Sequence, residues 1–158
     1  MTRDRFISEV RACQGQLRRF LTSLCSDAAL ADDIAQEALV RAYVTSDRFI
    51  GNFKAWLFRI AYNCFIDYLR RNPDGAVGID SREATHLAGG SASDASFEHE
   101  ELQRALALIP EKERTAIVLF YFEDLPIKEI SKIMDVPAGT VKYYLSVGRS
   151  HLKDHIKQ

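Results

Sequence analysis

Long apolar runs are missing from this chain. No stretch approaches the ~20 apolar residues of a membrane-spanning helix, and the first residues lack the charged-then-apolar pattern of a secretory signal. A cytoplasmic protein is the expectation. Cysteine is sparse: Cys13, Cys25 and Cys64 are odd in number, far apart and without a C-x-x-C pair, which argues against a disulfide framework or a zinc site. Each falls on an apolar stripe, so buried thiols are expected rather than redox centres. Metal and phosphate motifs are also lacking. His86, His99, His151 and His155 do not cluster with Cys or acid at ligand spacing; His151 and His155 are four residues apart but lack a third ligand nearby. Gly89-Gly90 has no Lys partner of the kind a phosphate loop needs. These absences point away from an enzyme, a cofactor or a small-molecule substrate. There is no convincing strand pattern and no internal repeat.

Net charge is low as well, at −1. Its distribution says more. Residues 1–72 carry 11 basic and 8 acidic residues, 73–100 carry 1 and 6, and 101–158 carry 9 and 8. The acid is concentrated in the middle. With 47% apolar residues the chain can build a packed core. The segment from Asn72 to Ser96 is rich in Gly, Ser, Ala and Asp and has no apolar period, so it reads as a flexible acidic linker between two helical domains. The expected division is 1–72, a linker over 73–96, and 97–158.

The apolar spacing predicts helices throughout. Phe6, Val10, Cys13, Leu17, Leu21 and Leu24 place one over about Asp4 to Leu24. Ser26-Asp27 offers an N-cap for the next, which carries Leu30, Ile34, Ala38 and Ala42 on one side and Asp32, Asp33, Gln36, Glu37 and Arg41 on the other. A loop is expected over Ser46 to Asn52. The third helix, Phe53 to Asn72, is the most aromatic, with Trp56, Ile60, Cys64 and Leu69 as its expected core face; no face is assigned to Phe53 or Tyr62. Its basic residues interleave with aromatics, a pattern suited to single-stranded nucleic acid, where bases stack on rings and cations follow the backbone. A plain core role for Trp56 stands equally open. Later helices are expected over about Ala95 to Leu108 and from Pro110 to about Glu123-Asp124.

Leu125 to Leu152 is the most informative stretch. Ile127, Ile130, Ile133 and Met134 form a short apolar-periodic run, Asp135-Val136-Pro137 interrupts it, and Val141, Leu145, Gly148 and Leu152 continue at helical spacing. Two short amphipathic helices joined by a tight turn make a helix-turn-helix. Pro126 and Pro137 suit helix starts. The second helix would turn Thr140, Lys142, Tyr143, Tyr144, Ser146 and Arg149 away from the seam, a polar and basic face that fits a DNA major groove.

Three stretches together carry a family resemblance. IPEKERTAIVLFYFEDLPIKEISKIMDVPAGTVKYYL resembles region 4 of an extracytoplasmic-function (ECF, group IV) RNA polymerase sigma factor. DDIAQEALVRAY (Asp32–Tyr43) resembles that family's polymerase-binding helix in region 2. FKAWLFRIAYNCFIDYLRR (Phe53–Arg71) resembles the helix that opens and reads the downstream promoter element. The order matches and coverage is nearly complete. The resemblance implies an all-α protein of two small helical domains, a non-enzymatic factor giving core RNA polymerase its promoter specificity. Asp33, Gln36, Glu37 and Arg41 would contact the β′ clamp helices, and the β subunit would be a further partner surface. Asn52, Lys54, Trp56, Arg59, Asn63 and Arg70 would act at the −10 element, where a flipped base must be captured. Thr140, Lys142, Tyr143, Tyr144 and Arg149 would read the −35 element of promoter DNA as duplex. An anti-sigma factor, often a membrane protein with a cytoplasmic domain, would hold the protein inactive.

Two positions depart from the family pattern. Tyr143-Tyr144 stands where a Ser-Arg pair is frequent, and Asp135 stands where a small residue usually opens the turn. Two tyrosines favour thymine methyl and hydroxyl contacts over the bidentate guanine contact of arginine, so the −35 preference is expected to differ from that of an arginine-bearing relative. The alternative is a sigma-like mimic that sequesters an anti-sigma factor without binding promoters. Such a mimic should have lost the basic recognition face and the −10 loop, yet Lys142, Arg149, Lys54 and the FKAW segment are present.

Overall fold

The computed structural model describes residues 1–73 and 94–156, with side chains from 100 onward in the second stretch. Among these residues there are seven α-helices and no strand: α1 (Arg3–Cys25), α2 (Ala28–Val44), α3 (Phe53–Arg71), α4 (Asp94–Leu108), α5 (Glu111–Ile117), α6 (Ile127–Met134) and α7 (Ala138–Ile156). Most of the expected linker, 74–93, lies outside the described residues, as do the side chain of Phe97 and Lys157.

Local chemistry sets most of the boundaries. Thr2 caps α1 by accepting from the Arg5 N–H at 3.1 Å. Ser26 ends that helix in the left-handed region (φ 54°). Asp27 then caps α2, its carboxylate accepting from Ala29 and Leu30 at 3.0 and 3.2 Å. Asn52 does the same for α3 through Ala55 at 3.0 Å. Each cap satisfies donors that the first turn would leave unpaired. Pro110 and Pro126 both stand at the cap position of α5 and α6, one residue before the expected first turn.

The first three helices pack on one another around Phe20 and Phe58, whose rings stack with centroids 4.8 Å apart. Ile34 and four alanines, Ala31, Ala35, Ala38 and Ala42, form the buried side of α2, and the alanines are small enough to let it lie close to its neighbours. The core face of α3 differs from the expectation. Phe53, Ala55, Leu57, Phe58, Ala61, Tyr62, Cys64 and Phe65 are buried, while Trp56, Ile60 and Leu69 are half-buried beside them. The reason is that α3 is covered from two directions: α1 and α2 on one side and α6 on the other. A stripe chosen for one neighbour misses the residues that face the second.

The later helices form a second bundle. α7 packs along α5, α6 and α4, burying Val141, Leu145, Gly148 and Leu152 as the spacing predicts. Gly148 is where α5 comes closest: a Cβ there would lie 2.6 Å from Ile117 Cδ1 and 3.2 Å from Glu113 Cβ. The helix expected to run on to Glu123 changes character instead. Val118–Phe122 is a π-turn, which inserts an extra residue per turn and rotates the residues after it. Tyr121 is consequently 47% exposed, and Glu123 is enclosed. Asp124 and Asp135 both take positive φ (57° and 56°), the left-handed conformation that Asp tolerates better than branched residues.

Candidate nucleic-acid interface

The outward side of α2 presents Asp33, Gln36 and Arg41 exposed and Glu37 half-buried. Arg41 is not loose on this face. It bonds Glu37 one turn back at 2.9 Å and reaches across to Asp67 of α3 at 3.3 Å. Asp67 also accepts from Arg70 at 3.4 Å. One carboxylate on α3 thus positions an arginine of each nominated surface. Val40 (63% exposed) and Val44 (75%), with Tyr43 and Ile50 nearby in sequence, add apolar area beside the charges.

The nominated −10 residues fall into two groups. Arg59 and Asn63 are exposed on α3. The others already have structural work. Asn52 caps α3 with its side-chain oxygen. Trp56 packs in an aromatic group with Phe49 and Phe53, at centroid distances of 5.3 and 5.7 Å. Arg70 pairs with Asp67. Lys54 is drawn toward the second bundle, where its ammonium donates to the Glu123 carbonyl at 3.0 Å and lies 3.4 Å from that residue's carboxylate.

On α7, Lys142, Tyr143 and Arg149 are exposed, Tyr143 by 61%, and Thr140 is half-buried near the helix start. Arg149 donates to the Tyr121 hydroxyl at 3.0 Å. Tyr144 differs from its neighbour: it is half-buried and packs against the core, with the two tyrosine rings 6.1 Å apart. The turn before α7 is tied back on itself, since the Ser131 hydroxyl donates to the Val136 carbonyl and the Val136 N–H to the Ser131 carbonyl. That pairing sets the angle at which α7 leaves α6.

Several residues that organise these surfaces gave no sequence signal. Glu123 receives Arg19 through two bonds, at 3.1 and 3.2 Å. Arg114, 6% exposed, donates to the carbonyls of Leu106 (2.8 Å), Ile109 (3.1 Å) and Leu24 (2.7 Å), so it joins α4, the turn before α5 and the end of α1. Burial pulls its pKa down from the usual arginine value while Glu111 acts the other way. Tyr62 donates to Glu111 at 2.7 Å and accepts from Lys112 at 2.8 Å. Burial, then the Glu111 carboxylate, pushes its pKa well up, so it stays a neutral donor. The partners that join the two bundles, Arg19 with Glu123, Arg114 with Leu24 and Tyr62 with Glu111 and Lys112, lie 49 to 104 positions apart, beyond any helical period.

Family models match both bundles. The Sigma-70 region 2 model matches residues 10–73 and the Sigma-70, region 4 model matches residues 99–152. ECF RNA polymerase sigma factor SigW of Bacillus subtilis is 38% identical over 141 residues, which cover 80% of this chain and 75% of SigW. The chain belongs to the ECF RNA polymerase sigma factors. SigM of the same organism is 33% identical, over 85% of each chain. Among solved structures, the sigma factor RpoE in complex with the anti-sigma factor NepR from Bartonella quintana matches with a TM-score of 0.78 at 27% identity, covering 96% of both chains.

The cysteines of this sigma factor sit in the core rather than at its surfaces. Cys13, Cys25 and Cys64 are all buried and unbridged. Burial pushes the Cys25 thiol up to about 12, with Asp27 adding to the shift. It pushes Cys64 up to about 12 against the opposing field of Arg41. Thiols held neutral in this way are poor nucleophiles. No group of His, Cys, Asp and Glu among the described residues is arranged to hold a metal, and no described helix is long and apolar enough to cross a membrane.

Proposed function

We propose that this sigma factor binds core RNA polymerase through α2, captures the −10 element with the loop before α3 and with α3 itself, and reads the −35 element with α7. In this reading residues 1–72 and 97–158 divide those tasks and 73–96 connects them. The observation that carries it is α7: its apolar seam is fully enclosed, and Lys142, Tyr143 and Arg149 face outward from a turn held by Ser131. A preformed convex helix with that chemistry suits a duplex groove, phosphates meeting the cations and base edges meeting the tyrosine. On α2, Asp33, Gln36, Glu37 and Arg41 share a face with exposed Val40 and Val44, a mixed polar and apolar surface of the kind that protein partners cover.

The polymerase performs the chemistry, and this chain contributes binding and base capture without being an enzyme. It works in the cytoplasm, where polymerase and promoter are. An anti-sigma factor restrains it, a membrane protein with a cytoplasmic domain being one form. The likeness of the whole chain to RpoE bound to NepR supports that regulation. The test is transcription with purified core polymerase on a library of promoter fragments. Transcripts sharing one −35/−10 pair support the reading. Absence of binding to core polymerase, with retained binding to an anti-sigma factor, establishes the mimic in its place.

A further inference from the structure

The two bundles hold each other through contacts supplied by this chain alone. Glu123 ends the π-turn with its side chain fully enclosed and within reach of two cations. Arg19 of α1 grips both its oxygens from one side, and Lys54 of α3 meets it from the other. Both cations keep contact with water, at 49% and 23% side-chain exposure. A carboxylate taken out of water needs such partners, and removing them leaves an uncompensated buried charge. Arg114 on Leu24 and Tyr62 on Glu111 fasten the same seam. α6, the first helix of the helix-turn-helix, consequently lies against α3.

Geometry sets this arrangement against promoter reading. Elements named −10 and −35 are about 25 base pairs apart, or about 85 Å of duplex. A compact chain of this length has a radius of gyration of about 15 Å. The closed form therefore cannot lie on both elements at once. In it Lys54 is also engaged by Glu123 instead of a phosphate.

We infer that the free chain is self-restrained, with Glu123 as the latch: its grip by Arg19 and Lys54 keeps the −10 helix folded against the helix-turn-helix unit, and release of that grip frees Lys54 and separates the two DNA surfaces. The inference rests on the proposed promoter-reading role for its consequence but not for the latch itself. Opening is driven by differential affinity, since polymerase and promoter bind the separated form and not the closed one.

The test is a distance measurement on the full chain. Spin labels on Gln14→Cys of α1 and Lys128→Cys of α6, both exposed or half-exposed, report the separation of the bundles, and the three native thiols are too buried to compete for label. The free protein should show one short distance. Glu123→Gln, which keeps the shape and removes the charge, and Arg19→Glu, which opposes the latch from a half-exposed position outside the second bundle's core, should each raise the long-distance population about tenfold. Asp124→Asn, an exposed neighbouring acid, should not. Affinity of the free variants for a promoter fragment should rise by the same factor. A broad distance distribution in the unaltered protein, or an unchanged short distance in both variants with helicity intact, overturns the latch. Opening without a gain in DNA affinity upholds the latch but removes Lys54 and the closed form from promoter recognition.

Discussion

The −10 and −35 candidates sit on helices of similar length, α3 and α7, yet the two helices treat their polar residues differently. On α7 the seam is buried and the outward residues remain available, with Lys142 and Tyr143 exposed and Arg149 bonded to a tyrosine hydroxyl. On α3 most of the nominated residues are already engaged: Asn52 in a cap, Trp56 in an aromatic group, Arg70 on Asp67 and Lys54 on Glu123. In the proposed reading the difference matches the two targets. A duplex presents its groove without rearrangement, so a rigid convex helix can be complete in advance. A single strand must be unstacked and captured, at a cost of a few kcal/mol, and its partner helix can be kept covered until the strand is there.

The comparison breaks if the two bundles are independent, and Arg114 decides that most sharply. Arg114→Met removes donors from the carbonyls of Leu24, Leu106 and Ile109 and leaves them buried. A loss of about 3 kcal/mol is expected, read as a drop in the midpoint of urea unfolding, with helices of both bundles melting in one transition. Two separate transitions in the unaltered protein would break the coupling. Gly148→Ala should have the next largest effect, about 1–3 kcal/mol. The added methyl meets Glu113 Cβ at 3.2 Å and the mobile end of Ile117 closer still. Thermal unfolding reads it, and α7 should lose DNA affinity with its packing.

Two smaller substitutions sharpen the contrast within α7. Tyr143→Ala should weaken binding to the −35 element by about 1–2 kcal/mol while leaving thermal stability unchanged, because its ring is mostly in water. Tyr144→Ala should lower stability as well, because that ring packs against the core. Tyr144→Arg in a promoter library tests the expected −35 preference, and an unchanged preference would show that the position does not read bases. Asp135→Gly should have the smallest effect, a gain of under about 1 kcal/mol, since its φ of 56° is one that glycine adopts without steric strain. Asp135→Val at the same site should lose stability.

Alkaline titration asks whether the core behaves as one unit. Cys25 is neutral in the fold with its pKa pushed up to about 12, whereas an unfolded thiol ionises near about 8.5. Its contribution is fully present below the unfolded value and is lost as pH rises toward 12. Stability should therefore fall above about pH 9, and Cys25→Ala should flatten that part of the profile. Reaction with a thiol reagent at neutral pH should wait on unfolding.

The amphipathic stripes of α1, α6 and α7 were legible because most of the residues each buries recur at helical spacing and leave a periodic trace, although Phe20 of α1 lay outside the expected stripe. The cap at Asp27 was legible because capping is local, whereas Asn52 was read as a −10 contact and its cap on α3 was missed. α3 was read only in part. It is covered on two sides, so Leu57, Phe58 and Phe65 are buried where the expected face held Trp56, Ile60 and Leu69. The π-turn at Val118–Phe122 was not visible, since nothing in the apolar pattern of those residues separates it from an α-helix.

What this sequence determined by itself is therefore what acts over three or four residues: the helices, the cap at Asp27, the helix-turn-helix with most of its outward face, and the three stretches that mark the family. What the tertiary structure alone decided is which polar residues meet across the chain. Arg19 and Lys54 on Glu123, Arg114 on Leu24 and Tyr62 on Glu111 are separated by 49 to 104 positions. No helical period links residues so far apart. They become neighbours only once both bundles have excluded water from the seam, and in that enclosed place each buried charge and hydroxyl must find its partner.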